Sequence, residues 1–147
     1  MTQTKNYADQ LDAIYEAFDR GHSYTMIVNN SSMSPLFIEG VTKLRLSPVK
    51  SFKYGMIVFY ARMTQGPSIR WVCRVREKSI DVRGVLQLHK EAKIPKGNVI
   101  AEVTAYNTHG VWVELNGFKG VLVKLKYSIY GLIYRMIRPL QRLFDTY

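Results

Sequence analysis

The chain has 147 residues, one cysteine and a net charge of +10, from 21 lysines and arginines against 11 acids. This length suits a single domain, residues 1–147, built around one core. One cysteine excludes an internal disulfide, and the scattered His22, His89 and His109 exclude zinc-site spacing, so we expect no metal and no cofactor. The positive charge favours an anionic partner but does not choose between lipid, nucleic acid and acidic peptide.

The start of the chain carries apolar residues at helical spacing, with acidic residues between them. The apolar positions are Ala8, Leu11, Ile14, Tyr15 and Phe18, and Gly21 is a suitable helix stop. The pattern predicts an amphipathic helix within residues 1–21 that caps one end of a β core, with docking to another protein as the alternative. No stretch here is apolar enough for a membrane span or signal peptide, so we expect a cytoplasmic protein.

Residues 24–116 change to short β-type runs separated by turn residues. The predicted strands are residues 24–28, 43–46, 56–61, 69–77, 80–82, 85–88, 99–106 and 111–115. Loops are expected at Pro48, 65–67, Gly84, 95–98 and 116–117. The fold class is therefore mainly β, a coiled and mostly antiparallel domain.

Residues 120–147 form a basic amphipathic tail. One helical face holds Ile129, Leu132, Ile133, Met136, Ile137, Leu140, Leu143 and Phe144, with Arg135, Arg138 and Arg142 opposite. Pro139 is expected to kink or divide this helix, because proline removes a backbone donor.

Two placements of the tail stay open. Its apolar face packs on the β domain with the arginines in water, or it lies on an anionic membrane surface, where Tyr127, Tyr130 and Tyr134 suit the interface. The second placement makes the protein peripheral at the membrane. Nucleic acid is an unlikely partner, because no helix-turn-helix or RNA-binding motif is present. The oligomeric state is left open by the sequence.

The segment Asn30-Ser31-Ser32-Met33-Ser34-Pro35 follows the apolar run at residues 26–28. Its Ser-Met-x-Pro pattern resembles the nucleophile box of signal peptidases and of LexA-type self-cleaving repressors. The runs at residues 55–60, 72–75 and 99–103 resemble, in order, this clan's Gly-Asp-apolar strand, its Lys/His-Arg-Val strand and its closing strand.

The resemblance implies a signal-peptidase/LexA-like fold with Ser32 as the nucleophile and Cys73 in the position of the general base. It also implies that Met33, Pro35 and Arg74 contact the substrate, an extended peptide added to a strand edge. The amino-terminal anchor of most signal peptidases and the DNA-binding domain of LexA-type repressors have no counterpart in this sequence.

Cysteine is a poor replacement for Lys or His as the base that must take the serine proton. Alternation along the strand places Cys73 on the inward face with Ile69 and Trp71, and such an apolar setting disfavours a thiolate. Val41, Met56 and Val85 also follow glycines where the clan often has Asp. The chain is therefore interpreted as a catalytically impaired peptidase homologue.

Other readings of the same residues stay open. Ser32 could be a turn or helix-capping residue, and Cys73 a small core residue. In the other direction, an active atypical serine peptidase would use Ser32 with a non-standard base, for which the three histidines are the candidates.

Overall fold

The computed structural model describes residues 2–62, 66–87, 89–116 and 118–144. Helix α1 spans Thr2–Asp19 and helix α2 spans Phe118–Phe144, with the strands between them. The strands are β1 (Tyr24–Ile27), β2 (Lys43–Ser47), β3 (Ile57–Tyr60), β4 (Ser68–Val75), β5 (Ser79–Arg83), β6 (Glu91–Pro95), β7 (Val99–Asn107) and β8 (Trp112–Glu114). The mainly β class with a helix at each end is confirmed.

The strands form one antiparallel sheet in the order β1-β2-β7-β3-β4-β5-β6, with β8 added to β7. Register shifts interrupt four of the ladders, those of β2 with β7, β3 with β7, β4 with β5 and β5 with β6. Such irregularities increase the local twist and bend a strand, which agrees with the coiled sheet predicted from many short runs.

Strand β4 contributes side chains to two core clusters, because neighbouring residues of a strand face opposite sides of the sheet. Ile69 belongs to the larger cluster, which includes Ile14, Phe37 and Phe59, whereas Val72 belongs to a smaller one. The face of β4 opposite Ile69 and Trp71 was predicted to point outward. It is also partly buried, because Val72 on that face is almost fully buried.

Helix α1 ends as its sequence predicts. The backbone N–H of Gly21 donates to the carbonyl of Phe18, and that of His22 donates to the carbonyl of Ala17. Gly21 has φ +75°, the left-handed conformation that glycine adopts without strain at a helix end. Ile14 is fully buried in the larger core cluster, so this helix covers the β core.

Between β5 and β7, one predicted strand is wrong and one observed strand was not predicted. Residues 85 and 86 form a turn instead of a strand, and Leu88 lies outside the described residues. Strand β6 was not predicted, because its sequence Glu-Ala-Lys-Ile-Pro buries only Ile94 and shows no alternation. It pairs with β5 through backbone hydrogen bonds, and such bonds cannot be recognised from hydrophobic spacing in the sequence.

Buried Asp81 connects β5 to the chain around β6. Its carboxylate accepts hydrogen bonds from Arg76 Nη1 at 2.6 Å, Lys90 Nζ at 2.9 Å and the backbone N–H of Lys93 at 2.9 Å. Burying a carboxylate is unfavourable unless it is paired and hydrogen-bonded, and here both oxygens have cationic partners. These contacts of Asp81 fix the position of β6, which has little hydrophobic burial of its own.

Helix α2 is one helix that includes Pro139, so the helix is not divided there, and a kink at this residue stays a prediction. Proline removes a single backbone donor, and the bonds on either side can continue. The helix packs on the domain through the buried Gly120 and Gly131 and the partly buried Val123 and Tyr127. The exposed apolar side chains of the helix include Ile129, Leu132, Ile133, Met136, Ile137 and Leu140. The placement with the apolar face on the β domain is therefore not the one observed.

Candidate functional site around Ser32 and Cys73

The Ser32 segment lies in the loop between β1 and β2, and its apolar side chains fix it to the core. Met33, Leu36 and Phe37 are buried in the larger cluster. Backbone bonds from Ser34 to Ser31 and from Phe37 to Met33 fold the segment into consecutive turns. The loop is thus held at both ends and in the middle, which gives Ser32 a defined position.

The hydroxyl of Ser32 contacts two amide oxygens. Its Oγ lies 2.7 Å from Asn30 Oδ1 and 2.9 Å from the carbonyl oxygen of Ile69 on β4. The Asn30 Oδ1 also accepts the backbone N–H of Ser32 at 3.1 Å, as in an Asx turn. A hydroxyl has one proton to donate, so Ser32 donates to one of these oxygens at a time.

The Ile69 carbonyl is open to Ser32 because β5 does not reach it. Backbone groups of alternate strand residues point to opposite neighbours, and Val72 bonds toward β3 through Met56 and Gly55. The carbonyl of Ile69 therefore points toward the β5 side, where pairing stops at Trp71 opposite Arg83. The Ser32 loop occupies the place that a longer β5 would fill.

Gly84, directly after β5, makes this approach possible. A Cβ at this position would collide with the backbone oxygen of Ser32. Glycine is thus required here by the close passage of two backbones. The predicted loop at Gly84 is observed, and its contact with the Ser32 loop brings together two segments that are 52 positions apart.

Cys73 lies further along β4, at a β-bulge. Val72 pairs with Val82 and Arg74 with Asp81, so Cys73 is the extra residue. It is half-buried and lines a cavity of about 290 Å³ between the sheet and α2. Four residues of strand correspond to about 13 Å, so Cys73 is well separated along β4 from the Ile69 carbonyl that Ser32 contacts.

The cavity at Cys73 combines apolar walls with cations. Tyr54, Trp71, Val85, Leu125 and Tyr127 line it, together with Arg83, Lys124 and Arg135. Burial lowers the pKa of Arg135, and the like charge of Arg83 lowers it further. Among the described side chains, the Nε of Arg83 is buried without a hydrogen-bond partner. The cations in these surroundings favour a negatively charged group over a positively charged one.

Ser32 lines a different cavity, of about 480 Å³. Its walls are Ser31, Ser32, Leu86, Gln87, His89, Tyr134 and Arg138. The structure therefore places Ser32 and Cys73 under the same helix, α2, but on two cavities. Of the three histidines, His89 shares the cavity of Ser32.

The remaining predicted site residues are Met33 and Pro35 in the Ser32 loop and Arg74 on β4. Met33 is 1% exposed and packs in the core, so the prediction that it contacts a peptide is not supported by its position. Pro35 is half-buried and follows a cis peptide bond. Arg74 is exposed on β4 next to Cys73.

Helix α2 brings residues to both cavities that the sequence reasoning did not assign to a site. Tyr134 and Arg138 line the Ser32 cavity, and Lys124, Tyr127 and Arg135 line the Cys73 cavity. Gly131 lies against Val85, where a Cβ would collide with the Val85 carbonyl oxygen. A glycine inside a helical sequence often marks a close packing contact. Gly131 was therefore the feature of the sequence that could have indicated the inward face of α2.

Comparison with protein-family models, curated proteins and solved structures found no match to this chain. The described residues contain no group of three His, Cys, Asp or Glu side chains that could hold a metal ion. Within the same part of the chain, neither helix has the length and apolar character needed to cross a membrane.

Proposed function

We propose that this chain is a signal-peptidase-like serine peptidase homologue with impaired catalysis that binds an extended peptide. The hydrogen bonding of the Ser32 hydroxyl supports the impairment. Both of its neighbours, Asn30 Oδ1 and the Ile69 carbonyl, are amide oxygens. An amide oxygen does not take up a proton near neutral pH, so neither neighbour activates the serine. A positioned base contributes roughly 10² to 10⁴ in rate, and neither hydrogen-bond partner of Ser32 supplies that contribution.

The cavity at Ser32 supports the peptide-binding part of the proposal. Polar side chains from three segments converge there, among them Gln87, His89, Tyr134 and Arg138. Donors of this kind pair with the carbonyl groups or the terminal carboxylate of a bound peptide. Six of the seven residues that line this cavity carry a polar side-chain group, so the cavity offers hydrogen-bond partners for a peptide backbone.

Labelling with a fluorophosphonate probe tests the impairment. Wild-type protein and Ser32→Ala are expected to give the same negligible labelling. Cys73→His should also leave labelling unchanged, since residue 73 lies in the other cavity. Strong labelling of the wild type that disappears in Ser32→Ala overturns the impairment, and a gain in Cys73→His contradicts the separation of the two residues.

Peptide binding is measured by fluorescence polarisation with a labelled decapeptide containing Ala-Xaa-Ala, the pattern cleaved in signal peptides. Arg138→Gln is expected to weaken binding roughly tenfold, as loss of a charge-assisted hydrogen bond would. Arg20→Gln, at an exposed position directly after α1, is the matched control. Equal polarisation for wild type, Arg138→Gln and a probe-only sample rejects peptide binding at this cavity.

A second candidate function is an active atypical serine peptidase with His89 as its base. The shared cavity of His89 and Ser32 is the observation that favours it. Under this alternative, fluorophosphonate labelling of the wild type is lost in His89→Ala and kept in His109→Ala, whose side chain is exposed elsewhere. Labelling that is equal in both histidine variants excludes His89 as the base.

A further inference from the structure

Helix α2 faces the domain with two glycines, with polar residues, and with Val123 and Tyr127, which pack against the larger core cluster. The two glycines, Gly120 and Gly131, are buried and bring the helix backbone against Leu115 and Val85. Tyr127 is half-buried beside them. The helix is therefore held close by one narrow face, and its orientation about its own axis is determined by these contacts.

The opposite face of α2 is apolar and exposed. Its large side chains are each 45 to 64% exposed: Leu122, Leu125, Ile129, Tyr130, Leu132, Ile133, Met136, Ile137 and Leu140. At 3.6 residues per turn they occupy an arc of about 160°. A surface helix normally turns such a stripe toward the core, and a contiguous exposed patch of this kind marks an interaction surface.

The charge of α2 indicates what covers this face. Residues 118–144 include six lysines and arginines and no acid, in a chain of net charge +10. Lys124, Arg135 and Arg138 line the cavities beneath the helix, whereas Lys126 lies within the exposed apolar face. A second copy would carry the same net charge of +10, so long-range repulsion opposes pairing through α2. An anionic lipid surface offers both the complementary charge and an apolar layer.

We propose that α2 lies along the surface of an anionic membrane, with its exposed apolar face among the acyl chains. The helix is about 40 Å long at 1.5 Å per residue and lies parallel to the membrane plane. Lys126 is within the apolar arc, and its long side chain can extend to the headgroups while its methylenes stay in the apolar layer. This docking is independent of whether Ser32 has any activity.

Vesicle sedimentation of the full chain tests the proposal. Vesicles of equal parts phosphatidylglycerol and phosphatidylcholine are compared with vesicles of phosphatidylcholine alone. Binding to the anionic vesicles is expected to be roughly 100-fold tighter, which corresponds to about two or three basic residues near the surface at about 1 kcal/mol each. The binding should weaken in high salt. Equal, negligible binding to both vesicle types overturns the proposal.

Two triple variants distinguish binding through this helix face from non-specific binding through other exposed apolar residues. The test variant carries Ile129→Gln, Ile133→Gln and Met136→Gln, since glutamine keeps helix propensity while removing the apolar groups. It should bind anionic vesicles roughly 100-fold more weakly. The control carries Ile38→Gln, Val41→Gln and Val111→Gln, which are also exposed but lie outside α2.

The control is expected to bind as the wild type does, and circular dichroism checks that both variants are folded. Equal binding by the test variant and the wild type refutes the role of this face. Sedimentation equilibrium without lipid tests whether a second copy of the chain binds to this face instead. A dimer of the wild type that the test variant loses, together with no vesicle binding, would assign the face to a second copy and overturn the membrane proposal.

Discussion

Substituting Asp81 by Asn tests the buried ion cluster that fixes β5 to β6. The side chain is fully buried, and its carboxylate bonds Arg76, Lys90 and the N–H of Lys93. Asn keeps the size but removes the charge, so two cations lose their partner. Removing one member of a buried ion pair costs about 3 to 5 kcal/mol. Because Arg76 and Lys90 are partly exposed, we expect the lower end, about 3 kcal/mol at pH 7.

The pH dependence of this loss follows from the pKa of Asp81. Burial raises that pKa, but the hydrogen bonds from Lys93 and Lys90 and the charge of Arg76 outweigh burial and lower it from 3.8 to about 2. The folded state thus holds the proton less tightly than the unfolded state. The stabilisation is complete above about pH 4 and is lost as the pH falls through 2. At 1.36 kcal/mol per unit, the shift is worth about 2 kcal/mol.

Urea denaturation followed by the fluorescence of Trp71 and Trp112 at pH 7, 5, 3 and 2 measures both quantities. The difference in free energy of unfolding between wild type and Asp81→Asn should shrink by about 2 kcal/mol between pH 5 and pH 2. Asp12→Asn, exposed on α1, is the control for a lost carboxylate and should change stability little. A difference that stays constant with pH would show that Asp81 is not held as an anion by its neighbours.

Two further substitutions test the packing of α2 and of the Ser32 loop. Gly131→Ala places a Cβ against the Val85 carbonyl and should lower the free energy of unfolding by about 1 to 3 kcal/mol, whereas Gly97→Ala meets open space and should be nearly neutral in the same urea titration. Ser32→Ala leaves the Ile69 carbonyl without the hydroxyl that donates to it, and thermal unfolding should show a loss of about 1 kcal/mol. An unchanged midpoint in either Gly131→Ala or Ser32→Ala would contradict the corresponding contact.

The site could be predicted from the sequence only in part. Composition and turn residues were enough to expect Ser32 in a loop after β1 and Cys73 within β4, and both are found there. Their relation was not predictable, since it depends on where β5 stops pairing with β4 and on the bulge at Cys73. Side-chain alternation describes one strand, and it contains no information about which carbonyl a distant loop will reach.

The sequence by itself determined the elements with strong hydrophobic periodicity: α1 with its Gly21 stop, most of the strands and the amphipathic α2. These follow from local spacing, because apolar residues at period 2 or 3.6 define which side of an element avoids water. Strand β6 lacks such spacing, and it depends on hydrogen bonds and on Asp81 from another strand.

Only the tertiary structure decided which face of α2 packs on the domain. The apolar residues of α2 indicate that their face of the helix is more stable when it is shielded from water. They do not specify whether protein or lipid shields it. The close approach permitted by Gly131, against the carbonyl of Val85, turns the small face inward and leaves the apolar face exposed. That outcome depends on backbone contact between residues 46 positions apart, which no local pattern encodes.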